Sequence, residues 1–264
     1  MVKMKIFANR MKDCVNPKDT LIEEVQKRSK YWVDLLSEEG EVAGAEERLL
    51  EDLEWCIKQK GKDTEEELEV LLGGIVDGLG LVEEPLMGLD GLVSIFRWGN
   101  GRSVLAAKGV VFLISEYAGE MADFFETFYQ LLSPELFVKY EDEMVFLSLL
   151  VLRSEGLSLQ MIRSIVKRLA DISIRVPVLC AGRVLYVISA TLNQHKRAVV
   201  PFKDRVKEGN QIGLTQFQPY LYELDALKDH PVLGELACQI KGHVLIDQNT
   251  NAYIMNRLLA ILEE

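Results

Sequence analysis

Apolar residues recur along this chain at intervals of three and four, the spacing that lines one face of an α-helix. The run Asn16-Pro17-Lys18-Asp19 supplies a capping residue, a proline for the first helical position and an acid for the first turn, so a helix is expected from there to about Ser37. A second is expected over Ala45 to Gln59. Thr64-Glu65-Glu66-Glu67 is a capping-box pattern that opens a third, running to about Leu79. Pro85 starts a helix that ends near Gly99, and a long apolar helix follows from Gly101 to about Tyr117. Ser133-Pro134 restarts the chain before the run Tyr140 to Leu152. From Leu157 to Ile172 the residues Ile162, Ile165, Val166 and Leu169 fall on one face. Pro177 opens a helix to about Asn193. Its β-branched stretch Val184 to Ile188 is compatible with a strand, but the proline start and the length of the pattern favour helix. Shorter helices are expected near 219–228, 230–241 and 251–262, with a short strand possible at His243 to Ile246.

Most of these helices are of similar length and are separated by short breaks. That rhythm predicts an all-α protein: an irregular HEAT/armadillo-like α-solenoid of antiparallel helix pairs, with no countable repeat. Because no Pro- or Ser-rich linker divides the chain, one continuous helical-repeat body over 1–264 is expected, with acidic repeats over 1–120. A protein-binding adaptor in nuclear transport or trafficking is one function such a body serves.

Composition changes this picture in two places. Hydrophobic residues make up 48% of the chain, enough to bury a sizeable core. No apolar run is long enough for a membrane span, and Met1 to Arg10 lacks the apolar core of a secretory signal. The four cysteines, Cys14, Cys56, Cys180 and Cys238, form no CxxC pair, which argues against a zinc ribbon or a disulfide scaffold and fits a reducing compartment. The net charge of −11 argues against a protein that binds nucleic acid over its whole surface. The charge is unevenly spread, however: residues 151–210 carry net +7 and the remainder carries −18.

That basic segment holds the candidate contact residues. Arg163 and Lys167 are four apart and share a helix face, with Arg168 displaced around it. Arg183 follows on the next helix, and His195-Lys196-Arg197 and Lys203 to Lys207 fall at a helix end and in a loop. A surface for RNA phosphates or for an acidic protein follows from Arg163, Lys167, Arg168, Arg183, Lys196 and Arg197. The competing reading is a solvated face with internal ion pairs, for example Lys167 with Asp171.

Catalytic chemistry is not legible. Only three histidines exist, His195, His230 and His243, none at metal-ligand spacing; GxSxG, a Walker lysine loop and HExxH are all missing. Gly73, Gly74, Gly78 and Gly80 resemble a phosphate loop, but Glu83 stands where the last glycine would and no strand precedes them, so close helix packing is expected. The acidic runs at 38–39, 46–47 and 65–67 read as solvated helix faces. Trp32, Trp55 and Trp98 read as core. No catalytic, cofactor-binding or metal-ligating residue is expected, and no cofactor.

Over the C-terminal half the order of features is familiar. FYQLLSPEL (128–136) resembles YY-x-LY-x-x-LLDP-x-L, MVFLSLL (144–150) resembles AMFLNLLYK, and MIRSIVKRL (161–169) resembles RVKAFVKRLLQ. CAGRVLYVIS (180–189) is similar to CGALYLVSE, and Leu221-Tyr222-Glu223-Leu224 with His230-Pro231-Val232 and Leu236-Ala237 is similar to LWEL…HPSVALFAK. These motifs are those of the CCAAT-binding-factor family of nucleolar complex proteins, with 121–264 as the family-like region. The likeness is nearest to the branch that acts on early large-subunit precursors. The chain departs from the pattern at the family's tryptophan, here Tyr222, and at Pro201 to Arg205, a remnant of a family element. The resemblance implies an α-solenoid without catalytic activity, located in the nucleus and nucleolus. It also implies a heterodimer with a second nucleolar-complex protein and a role in assembling large-subunit (60S) precursors with pre-ribosomal particle proteins around precursor rRNA.

Overall fold

The computed structural model describes residues 17–37, 44–61, 65–119, 121–154, 157–198 and 221–242, and every regular element among them is helical. The expected cap at Thr64, the strand at 243–246, the helix at 251–262, Cys14 and Lys203 to Lys207 lie outside the described residues. By its internal packing the chain divides into two compact units, Met1–Ala122 and Asp123–Glu264.

In the first unit α1 (Pro17–Leu36) and α3 (Glu65–Gly78) begin where the proline and capping signals place them, and α2 (Ala45–Lys58) begins at the expected Ala45. Two 3-10 turns, Leu79–Leu81 and Pro85–Gly88, lead into α4 (Leu89–Phe96) and then α5 (Gly101–Tyr117). Asn100 and Ser103 form a reciprocal capping box that starts α5, and Ala118 in the left-handed conformation (φ 55°) ends it. α5 is buried on most of its circumference and packs on α3 and α4, while α1 packs on α3 and α2 on α4.

Trp32 is the largest fully buried side chain of this unit, and two glycines of α3, Gly74 and Gly78, make room for it. A Cβ at Gly78 would stand 2.6 Å from Trp32 Cε3, and one at Gly74 would stand 3.1 Å from Trp32 Cβ. The glycine cluster is therefore a helix-packing groove, as its sequence context predicts. The other two tryptophans are half-buried and lie beneath cations: Arg28 over Trp55, and Lys60 and Arg102 over Trp98.

The second unit opens with α6 (Phe124–Leu131), which the periodicity did not predict. α7 (Pro134–Lys139) starts at the expected Ser133-Pro134, with the Ser133 hydroxyl accepting from the Leu136 N–H. α8 (Glu141–Leu152), α9 (Leu159–Ser173) and α10 (Val178–Gln194) follow, then α11 (Glu223–Ala226) and α12 (Leu233–Gly242). Ile162, Ile165, Val166 and Leu169 of α9 are all buried, as their spacing requires. Val184 to Ile188 is helical and lies in the middle of α10, which packs on α8, α9 and α12. α10 is thus the central helix of this unit, and burial on several sides explains why its sequence looks strand-like.

Candidate functional site

The described part of the basic segment covers the end of α8, α9, α10 and the turn that follows α10, and its cations fall into two groups. The first group is spent on the fold. Lys167 Nζ lies 2.7 Å from a Glu223 carboxylate oxygen and 3.8 Å from the centre of the Tyr222 ring. Glu223 is buried, so this pair ties α11 down onto α9. The pairing of Lys167 with Asp171 suggested by helical spacing does not form. Asp171 instead accepts from Arg175 at 2.8 Å and lies 3.9 Å from Arg168.

Arg168 also donates its Nε proton to the Leu132 carbonyl at 2.9 Å, closing the end of α6 against α9. Arg183 reaches across to the first turn of α8, where Glu141 lies 3.2 Å away and Asp142 also pairs with it. Arg163 donates to two backbone carbonyls, Arg197 at 3.0 Å and Ala198 at 3.3 Å. It holds the turn that carries the next two cations.

The second group projects outward. Lys196 and Arg197 are exposed, and no carboxylate among the described residues pairs with them. The six expected contact residues are therefore engaged to different degrees. Lys167, Arg168 and Arg183 are engaged by acids or a carbonyl, Arg163 positions a turn, and Lys196 and Arg197 face solvent. Apart from Asp171, one turn from Arg168, the partners that engage the first group lie 34 to 56 residues away in sequence, beyond the reach of any helical spacing rule.

His195 and His230 are used structurally. His195 Nε2 lies 2.7 Å from the Leu152 carbonyl, and His230 Nδ1 accepts the N–H groups of Val232 and Leu233 at the start of α12. Among the described residues no group of His, Cys, Asp or Glu is arranged to hold a metal ion, and no helix is long and apolar enough to cross a membrane.

Comparison with known proteins covers this same stretch. A model of the CBF/Mak21 family matches residues 103–230, from α5 to the residue that caps α12. This region belongs to the CBF/Mak21 family. The CBF/Mak21 region is also what curated relatives share with the chain. Nucleolar complex protein 4 homolog of Rattus norvegicus and that of Mus musculus are each 33% identical over 113 residues, covering 42% of this chain and 22% of the relative. Nucleolar complex protein 4 homolog B of Xenopus laevis is 32% identical over 97 residues, 36% of this chain and 18% of its own. The match thus spans about a fifth of the length of these relatives. The CBF/Mak21 region contains both groups of cations and the carboxylate and carbonyl pairs of α8 to α11.

Proposed function

We propose that this protein is a non-enzymatic scaffold of ribosome biogenesis in the nucleus and nucleolus. It assembles pre-ribosomal particles together with a second nucleolar-complex protein and precursor rRNA. One observation carries the reading: the CBF/Mak21 match over residues 103–230 includes the whole +7 segment of an acidic chain. The relatives' names add the nucleolar complex to it. Neighbouring helices joined by short connections, such as α9 and α10 across 174–177, are the units from which irregular HEAT/armadillo-like pairs are stacked, and we include an α-solenoid arrangement in the proposal.

The test is affinity purification of the tagged full chain from its native cell, with proteins identified by mass spectrometry and RNA by sequencing. Precursor rRNA, assembly factors and one stoichiometric nucleolar-complex partner are expected. A preparation rich in transport factors and free of precursor rRNA would overturn the proposal. The family motifs lead to large-subunit precursors, and the recovered RNA decides that assignment, because small-subunit precursors alone would refute it.

A further inference from the structure

Three helix ends of the second unit meet at one corner. Gln194 donates to the Arg153 carbonyl at 3.4 Å, His195 Nε2 lies 2.7 Å from the Leu152 carbonyl, and Arg163 holds the carbonyls of Arg197 and Ala198. These bonds bring the end of α8, the first half of α9 and the turn after α10 together. They bring the backbone of Arg153, the side chain of Arg163 and the turn that carries Lys196 and Arg197 to the same corner, although the residues span 45 positions of the sequence.

Cations at helix C-termini often do no more than offset the partial negative charge of unsatisfied carbonyls. Here the carbonyls of Leu152, Arg153, Arg197 and Ala198 are already taken by His195, Gln194 and Arg163. Arg153, Lys196 and Arg197 are exposed and make no ion pair among the described residues; Glu155, the acid nearest in sequence, lies outside them. Among the described residues the corner shows no exposed aromatic of the kind that anchors protein interfaces; that of α8, Phe146, sits about two turns away. What it displays is a set of donors: two guanidinium groups, an ammonium, and the side-chain amide of Gln160 one turn before Arg163.

We propose that this corner is a contact for the sugar–phosphate backbone of RNA. Arg153, Lys196 and Arg197 each bind a phosphate, and Arg163 is a positioning residue that holds the 196–198 turn. The inference deepens the functional reading above and rests on it. It replaces a broad basic segment by three contact residues, one of which, Arg153, stood outside the expected set.

The test titrates the full chain against a labelled 20-nucleotide oligouridine by fluorescence anisotropy between 50 and 200 mM KCl. Three phosphate contacts on a single strand give a log–log salt slope of about −2, so affinity falls by roughly 20-fold over that range. The triple variant R153Q/K196Q/R197Q is expected to lose that slope and to bind at least about tenfold more weakly at 50 mM, with unchanged helical circular dichroism. Lys228→Gln, an exposed cation elsewhere in the unit, should change neither. Arg163→Lys keeps the charge but not the two-carbonyl grip; it should weaken binding several-fold and leave the slope in place.

Absence of binding by the native chain, a triple variant that binds like it, or displacement of the RNA by polyglutamate of equal charge would each overturn the proposal. The last result would assign the corner to an acidic protein. Failure here is separable from failure of the functional reading. If native chain and triple variant both recover precursor particles while oligouridine binding is unaffected, the corner is refuted and the scaffold stands. If oligouridine binds with the expected slope but no precursor rRNA is recovered from cells, the reverse holds.

Discussion

A carboxylate with no access to water is held at position 52 because three donors converge on it: the guanidinium groups of Arg28 and Arg48 and the indole N–H of Trp32 at 2.9 Å. Arg28 and Arg48 in turn lie over the rings of Trp55 and Tyr31. Removing one partner of such a buried pair leaves uncompensated charge. Asp52→Ala is therefore expected to cost about 3–5 kcal/mol, read as a lower urea midpoint, and no change in midpoint would refute the network's role. A second consequence concerns Cys56. Burial, and then the charge of Asp52, pushes its thiol from 9.0 to about 12. In the unfolded chain the thiol ionises near pH 9, while in the folded chain it stays neutral, so the stabilisation is complete below pH 9 and lost as pH rises toward 12. At pH 10 the native chain should have lost about 1.4 kcal/mol more, relative to pH 8, than a Cys56→Ala variant. Parallel pH profiles would exclude it.

At the scale of elements, what the sequence made legible was mostly local. Pro17, Ser133-Pro134 and the Asn100–Ser103 box mark their helices because capping is decided within four residues. α6 was missed because Phe124 to Leu131 carries neither a proline start nor a side-chain cap hydrogen bond. The ion pairs were misjudged for the opposite reason, since Lys167 finds its partner at Glu223 rather than one helical turn away. Lys167→Ala would leave Glu223 buried and unpaired, at a cost of about 3 kcal/mol. The double variant Lys167→Ala/Glu223→Gln should cost less than the sum of the two single changes. Additive costs would show that α11 is held to α9 by other contacts. His230 is a further element-scale device, because its imidazole accepts the N–H groups that open α12. His230→Ala should lower stability by about 1 kcal/mol, and His230→Asn should restore most of it. Equal losses in the two variants would show that the ring acts by packing alone.

At the scale of the whole molecule the decisive feature is that net charge and local charge have opposite signs. The segment 151–210 was visible in the sequence as +7 within a chain of −11, but its effective size was not. Among the described residues Lys167, Arg168, Arg175 and Arg183 are paired with carboxylates, which leaves Arg153, Lys196 and Arg197 as the unpaired outward cations of the proposed corner. A polyanion approaching this protein therefore meets repulsion from the whole chain at long range and attraction from a few groups at contact. The two forces are screened differently. At about 0.01 M salt the Debye length is about 30 Å, comparable with the protein, and the net charge is felt in full. At about 0.15 M it is about 8 Å, and only the contacting groups count. RNA affinity should accordingly pass through a maximum as salt rises: first gaining as the −11 is screened, then falling with the slope set by the phosphate contacts. Anisotropy titrations of the native chain from 10 to 200 mM KCl should place the maximum near or below about 50 mM. A monotonic fall from the lowest salt would mean that the acidic surface does not oppose RNA approach. Neutralising exposed acids of the first unit, such as Glu47 and Glu51 on α2, should shift the maximum to lower salt without altering the slope above it.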